Sequence, residues 1–125
     1  MNLTFHQFCE LKPLVSAVYE LEALIKQKTG LTLNEAMALC CLKSGAMVQS
    51  RLGEELHMGA TRTSRLVSSL MDQHFLTSTP DKQDRRKNIL TLTMKGAQAA
   101  DRLKQLESTL FPMTVLKEVE PWLST

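Results

Sequence analysis

From about Phe5 to Lys28 the apolar residues Leu11, Leu14, Val15, Val18, Leu21, Leu24 and Ile25 recur every three or four positions, the spacing of one long amphipathic helix. Pro13 either kinks that helix or marks its true start, because proline removes an amide donor. Gly30 supplies a stop, and Thr32-Leu33-Asn34-Glu35 has the form of a capping box, in which a hydroxyl and a carboxylate satisfy the open amides of a new helix. That helix is expected to run to about Lys43. After a break at Ser44-Gly45, a short helix near Val48 to His57 turns Leu52 and Leu56 inward. Met58-Gly59-Ala60 reads as a tight turn in which glycine takes a backbone conformation other residues avoid.

Between Thr61 and Gln73 the residues Thr63, Leu66, Val67, Leu70 and Met71 share one helical face, which leaves Thr61, Arg62, Ser64, Arg65, Ser68 and Ser69 on or near the other. Phe75 to Thr79 and Asn88 to Leu92 alternate like strands around Pro80-Asp81-Lys82-Gln83-Asp84-Arg85-Arg86-Lys87, a hairpin with a long charged tip. Thr93 is placed to cap a final helix from about Met94 to Leu110, with Ala97, Ala100, Leu103, Leu106 and Leu110 as its apolar stripe. A turn at Pro112 then leads to a short amphipathic tail ending near Trp122. No internal repeat or low-complexity linker interrupts this order.

With 125 residues, 43% of them hydrophobic, four Pro and five Gly, the chain can bury one compact core and forms one domain. Glu20, Glu22, Lys26 and Lys43 interrupt the longest apolar stretches, and no charged leader precedes an apolar run, so the expected location is cytoplasmic, with no membrane. Cys9, Cys40 and Cys41 form no paired C-x-x-C arrangement, which fits a reduced compartment and no structural zinc. Cys40 and Cys41 read as core and flank positions of the second helix. His6, His57 and His74 show no ligand spacing, and neither a metal nor a cofactor is expected. The net charge of +2 is uneven: residues 49 to 95 hold eight Lys or Arg against five Asp or Glu, while residues 1 to 48 hold four of each. A local basic excess is the electrostatic footprint of a nucleic-acid binder.

Two short helices joined by a tight turn and followed by a charged β-hairpin have the plan of a winged helix-turn-helix, a mainly α fold with a small β-hairpin wing. A major groove roughly 12 Å wide admits one helix. Arg62 and Arg65 are therefore candidates for paired hydrogen bonds to guanine, and Thr61, Ser64, Ser68 and Ser69 are short enough to let the helix approach. Arg85, Arg86 and Lys87 on the hairpin tip are candidates for the flanking backbone or minor groove. Against this stands the bland alternative of a solvated helix face and a hairpin whose Asp84 pairs with a neighbouring Arg.

The stretch from Leu31 to Arg102 resembles the DNA-binding lobe of the MarR family of regulators, including its short SarA-like members. The most specific segment is Asp81-Lys82-Gln83-Asp84-Arg85-Arg86-Lys87-Asn88-Ile89-Leu90-Thr91-Leu92-Thr93-Met94-Lys95-Gly96, which is similar to the family's wing and the Leu-Thr-x-x-Gly motif that follows it. The resemblance implies that Arg86 enters the minor groove while Asp84 orients it, and that Thr61, Arg62, Ser64 and Arg65 face DNA. Two departures are visible: His74 stands where the family commonly has Gly, and Ser78 or Thr79 replaces a basic residue of the first wing strand.

The resemblance further implies residues 1–30 and 94–125 as dimerisation helices flanking a DNA-binding lobe at 31–93. The expected function is thus a homodimeric transcription regulator, repressor or activator, that binds double-stranded DNA at a pseudo-palindromic site. Relatives that carry a cysteine in the first helix imply Cys9 as a candidate redox sensor, so an oxidant or small-molecule effector is a candidate partner. Buried structural cysteine is the commoner role, and Glu10 would oppose the thiolate while His6 would favour it. No G-x-S-x-G, P-loop or H-E-x-x-H motif appears, which argues against an enzyme. The remaining rivals are a winged-helix protein-interaction module or antagonist, since fold does not fix function, and an RNA binder, disfavoured by the scarcity of aromatic residues.

Overall fold

A computed structural model describes residues 3–106 of the chain. The first amphipathic segment is two helices, α1 (Phe5–Glu10) and α2 (Lys12–Thr29). Pro13 decides the break: it lies in the first turn of α2, where a missing amide costs nothing. A capping box between Thr4 and Gln7 opens α1. Gly30 ends α2 in the left-handed conformation, φ 77°, with its amide donating to the Lys26 carbonyl.

The expected capping box opens α3 (Leu33–Lys43): the Thr32 hydroxyl accepts from the Glu35 amide, and the Glu35 carboxylate accepts from the Thr32 amide. Then come β1 (Met47–Val48), α4 (Gln49–Glu55), α5 (Ala60–Asp72), β2 (Leu76–Pro80), β3 (Asn88–Leu92) and α6 (Met94–Gln105). The strands form an antiparallel sheet in the order β1-β3-β2, with Leu76 opposite Leu92, Pro80 opposite Asn88 and Met47 opposite Leu90. β1 escapes the sequence pattern because two residues carry no period. It also moves the start of α4 from Val48 to Gln49, since Val48 is spent on pairing with Ile89.

Leu39 of α3, Leu52 of α4, Leu70 of α5 and Leu90 of β3 are fully buried and belong to one hydrophobic core. Each such side chain contributes about 1.5–3 kcal/mol of burial. Three expected positions shift. Met71 is exposed because Leu70, Val67 and Thr63 take the inner face of α5. Cys40 is exposed and Cys41 half-buried, because Leu39 and Leu42 occupy the core positions of α3. On α6 the buried set is Gly96, Ala99, Ala100 and Leu103, while Ala97 is exposed. Ala100 and Leu103 are thus buried as expected, and in the first turn Gly96 takes the inner place, pressed so closely on the Phe75 carbonyl that a Cβ would stand 1.9 Å from its oxygen. Leu110, Pro112 and Trp122 lie outside the described residues.

The turn between α4 and α5 also differs from expectation. Gly59 has φ −69° and is the extended N-cap of α5, with open space where a Cβ would stand. His57 is the left-handed residue instead, φ 54°. The Met58 amide donates to the Gly53 carbonyl at 2.8 Å and the His57 amide to that of Glu54 at 3.2 Å, the bond pattern of a Schellman motif. α5 ends the same way: His74 has φ 64°, and the amides of Phe75 and His74 donate to the carbonyls of Leu70 and Met71, each at 2.9 Å. His74, the departure from the family's Gly, therefore sits in the conformation that glycine accommodates without strain. Gly53 does have a steric role, since a Cβ there would stand 2.7 Å from Thr63 Oγ1. It lets α4 and α5 approach.

Candidate nucleic-acid interface

Helix α5 separates its residues by face. Thr63, Val67 and Leu70 are buried, and Thr61, Arg62, Ser64, Arg65, Ser68 and Ser69 are all exposed. Thr63, a polar residue on the inner face, is satisfied by donating its hydroxyl to the Gly59 carbonyl at 2.9 Å. Arg62 and Arg65 enter no ion pair among the described residues. No side chain caps the start of α5 and its first turn holds no acidic residue, so its first amides are open to an anionic group. Ser69 differs from the other polar residues. Its hydroxyl donates to Glu35 Oε2 at 3.3 Å and accepts from Gln73 Nε2 at 3.1 Å, which engages it with the lobe.

The wing is ordered by its own acidic side chains. Asp81 accepts from the Gln83 amide, and the Asp81 and Lys87 amides donate to the carbonyls of Lys87 and Asp84. Asp84 Oδ1 accepts from the Arg86 amide and from Arg86 Nε, both at 3.1 Å, and Oδ2 accepts from Arg86 Nη2 at 3.4 Å. The Arg86 guanidinium holds the Asp84 carboxyl below the usual carboxylate range. The Arg86 side chain remains 91% exposed. A surface pair like this contributes little stability, but it restricts the rotamers of a long cation. Arg85 and Lys87 flank it, exposed and without an ion pair among the described residues.

An open groove of about 330 Å³ brings these parts together: Gln49 and Ser50 at the start of α4 and Ala60 at the start of α5 face Arg86, Lys87 and Asn88 at the base of the wing. The β1–β3 pairing makes this juxtaposition, because it joins the strand that leads into α4 to the strand that leaves the wing. Gln49, Ser50 and Asn88 were not singled out in the sequence, as the strand that positions them gives no pattern. The hinge behind the wing rests on Thr93. Its amide donates to the Phe75 carbonyl at 3.0 Å, its hydroxyl donates to the His74 carbonyl at 2.6 Å, and the same oxygen accepts from the Gly96 amide at 3.1 Å. These bonds, with the Gly96 contact, give the Leu-Thr-x-x-Gly motif a physical reason: the residues seal wing, α5 and α6 at one corner.

Cys9 lies exposed on α1, one residue before Glu10, which pairs with His6 at 2.9 Å. Burial pushes the thiols of Cys40 and Cys41 up, with Lys43 opposing for Cys40 and the charge of Glu55 adding for Cys41. Among the described residues, no group of three His, Cys, Asp or Glu could hold a metal ion, and no helix is long and apolar enough to cross a membrane.

No protein-family model matches the sequence, and no curated protein matches it. Solved structures do. A mutant MarR from E. coli complexed with operator DNA superposes with a TM-score of 0.79 at 16% identity, over 98% of this chain and 97% of that one. AbsC, a MarR family transcriptional regulator from Streptomyces coelicolor, gives 0.77 at 18% identity, over 94% and 83%. The MepR–DNA complex from S. aureus gives 0.73 at 18% identity, over 93% and 85%. The likeness is one of fold. The described residues have the winged helix-turn-helix architecture of the MarR-type regulators.

Proposed function

We propose that the chain is a sequence-specific, double-stranded-DNA-binding transcription regulator of the MarR type, acting as a homodimer. In this reading α5 enters the major groove with Thr61, Arg62, Ser64, Arg65 and Ser68 toward bases and phosphates. Arg86, held by Asp84, reaches the minor groove, with Arg85 and Lys87 on the adjacent backbone. The observation that carries it is an exposed face of α5 holding Arg62 and Arg65, without an ion pair among the described residues, on a helix whose start faces the carboxylate-oriented Arg86 across an open groove. The DNA complexes among the structures of the same fold support it. Ser69 is assigned to the support of α5, given its bonds to Glu35 and Gln73.

The homodimer is supported by the outer helices. Phe5 is 83% exposed, Phe8 62% and Tyr19 67%, and Ile25 is the buried residue of α2. An apolar face this open calls for a partner, and a second copy gives the two-fold pairing that a pseudo-palindromic site requires. Cys9 is proposed as an oxidant sensor on this same segment: it is exposed, while burial pushes up the thiols of Cys40, exposed as well, and of half-buried Cys41. Mild peroxide followed by mass spectrometry is expected to modify Cys9 first; modification of Cys40 or Cys41 with Cys9 intact would reject the role.

Selection from a random DNA pool, followed by fluorescence-anisotropy titration, tests the reading directly. The wild type is expected to recover a salt-sensitive, pseudo-palindromic site, and the Arg62→Ala/Arg86→Ala variant to fold but lose it, by roughly 2–6 kcal/mol for the two contacts of each half-site. If the wild type shows non-specific affinity alone, DNA reading is rejected and a winged-helix protein-interaction module becomes the better account.

A further inference from the structure

The buried charge in the lobe lies away from the proposed interface. Glu35 is 7% exposed, and its two oxygens have separate duties. Oε1 completes the capping box at the start of α3 by accepting from the Thr32 amide at 2.9 Å. Oε2 accepts from Gln73 Nε2 at 2.6 Å and from Ser69 Oγ at 3.3 Å. A glutamine would complete the same capping box, so the helix start does not require the second oxygen or the charge. The outermost turn of α5 uses both.

We infer that Glu35 is a positioning residue for the recognition helix: its carboxylate ties the C-terminal turn of α5 to the start of α3 and fixes the angle at which the Arg62–Arg65 face is presented. The inference rests on the DNA-reading function proposed above. Gln73 grips the turn, since Nε2 also donates to the Ser69 carbonyl and hydroxyl, each at 3.1 Å. It is the C-cap of α5, next to left-handed His74 and two residues from Phe75, which holds the wing corner. The opposite end of α5 is held by Gly53 and Thr63. With both ends fixed the helix keeps one inclination. With the Glu35 end released it can pivot about the Gly53 contact.

The tie has a second consequence. Thr32 stands two residues beyond Gly30, the left-handed stop of α2, so Glu35 places the reading helix and the outer helix on a shared anchor. Burial alone would raise the Glu35 pKa, yet hydrogen bonds from the Thr32 backbone, Gln73, the Thr32 hydroxyl and Ser69 hold it below its ordinary value. The group is therefore an anionic acceptor, whose hydrogen bonds are the stronger kind.

A swap of the two partners tests the tie. Gln73→Glu sets two carboxylates against each other where a donor met an acceptor. The double variant Glu35→Gln/Gln73→Glu restores one donor and one acceptor between the two positions and keeps a residue that completes the capping box. Both variants lack the bond from position 73 to the Ser69 carbonyl, so the difference between them reads the tie to position 35. Binding is measured to the site selected by the wild type and to random duplex, with circular-dichroism melts alongside. Q73E is expected to lose about tenfold in the ratio of specific to non-specific affinity, and the swap to recover it. The ratio removes the effect of added negative charge, which weakens both modes. A Q73E ratio equal to that of the wild type, or a folded swap that fails to recover it, overturns the inference. If Q73E does not fold, Gln73→Met, which removes the donor without charge, takes its place with the same outcomes. Failure of DNA reading itself would show separately, as a wild type with no selectable site.

Discussion

The winged-helix lobe and the outer helices divide the apolar residues of this chain in opposite ways. In the lobe, α3, α4, α5 and β3 each send a leucine to full burial, and the close contacts at Gly53 and Gly96 leave no room for another atom. In α1 no residue is buried, and in α2 Ile25 is, although Phe5, Phe8 and Val15 are as apolar as anything in the core. The lobe is closed within one chain, whereas the outer helices carry an unspent apolar face. Burial follows available partners, not hydrophobicity alone. The difference teaches that the two regions should fail independently.

The largest expected effect comes from breaking the closed region. Gly96→Val drives a side chain into the Phe75 carbonyl and is predicted to destabilise the lobe by about 3 kcal/mol or more, read by urea denaturation. A loss below about 1 kcal/mol would mean that α6 can rotate away and that the corner is looser than described.

Breaking the open region should do the reverse. Phe5→Asp/Phe8→Asp is predicted to raise the dissociation constant of the homodimer by about a hundredfold in analytical ultracentrifugation, while the lobe keeps its melting transition. A dimer that survives these changes would place the two-fold contact elsewhere.

The comparison sharpens if the lobe is made tighter. His57 and His74 hold left-handed backbone at the ends of α4 and α5, a strain of about 1–3 kcal/mol that glycine relieves, offset in part by its greater freedom when unfolded. His74→Gly should raise stability by about 0.5–1 kcal/mol, with no change in dimerisation. A lower melting temperature would show that the histidine contributes contacts beyond its backbone.

The smallest effect is in the acid range. The Glu35 pKa is held below its ordinary value of 4.5 in the folded chain, so the stability it contributes is present above that pH and is lost as pH falls through the lowered folded value. Acid titration of wild type against Glu35→Gln should show their difference shrinking below that point. A difference that grows on acidification would contradict the assignment.

Local signals in the chain were enough to find the capping box at Thr32, the N-cap at Thr93, the stop at Gly30, the hairpin and the exposed polar face of α5, because each depends on residues within about four positions of one another. They misassigned the helix-turn-helix bend to Gly59, since glycine permits left-handed backbone but does not compel it, and the hydrogen bonds that end α4 place that conformation at His57. On α6 the expected Ala100 and Leu103 are buried and Ala97 is exposed, because the first turn is held through Gly96 against Phe75, 21 residues earlier.

By itself, then, the sequence determined the longer helices and the hairpin, the basic middle segment and the polar and arginine face of α5, all of them properties of local spacing. Tertiary structure alone decided the pairing of Met47–Val48 with β3, the groove that sets Arg86 opposite the starts of α4 and α5, and the contact of Glu35 with Gln73, 38 positions away. These join residues with no shared period, and nothing short of packing the chain against itself brings them together.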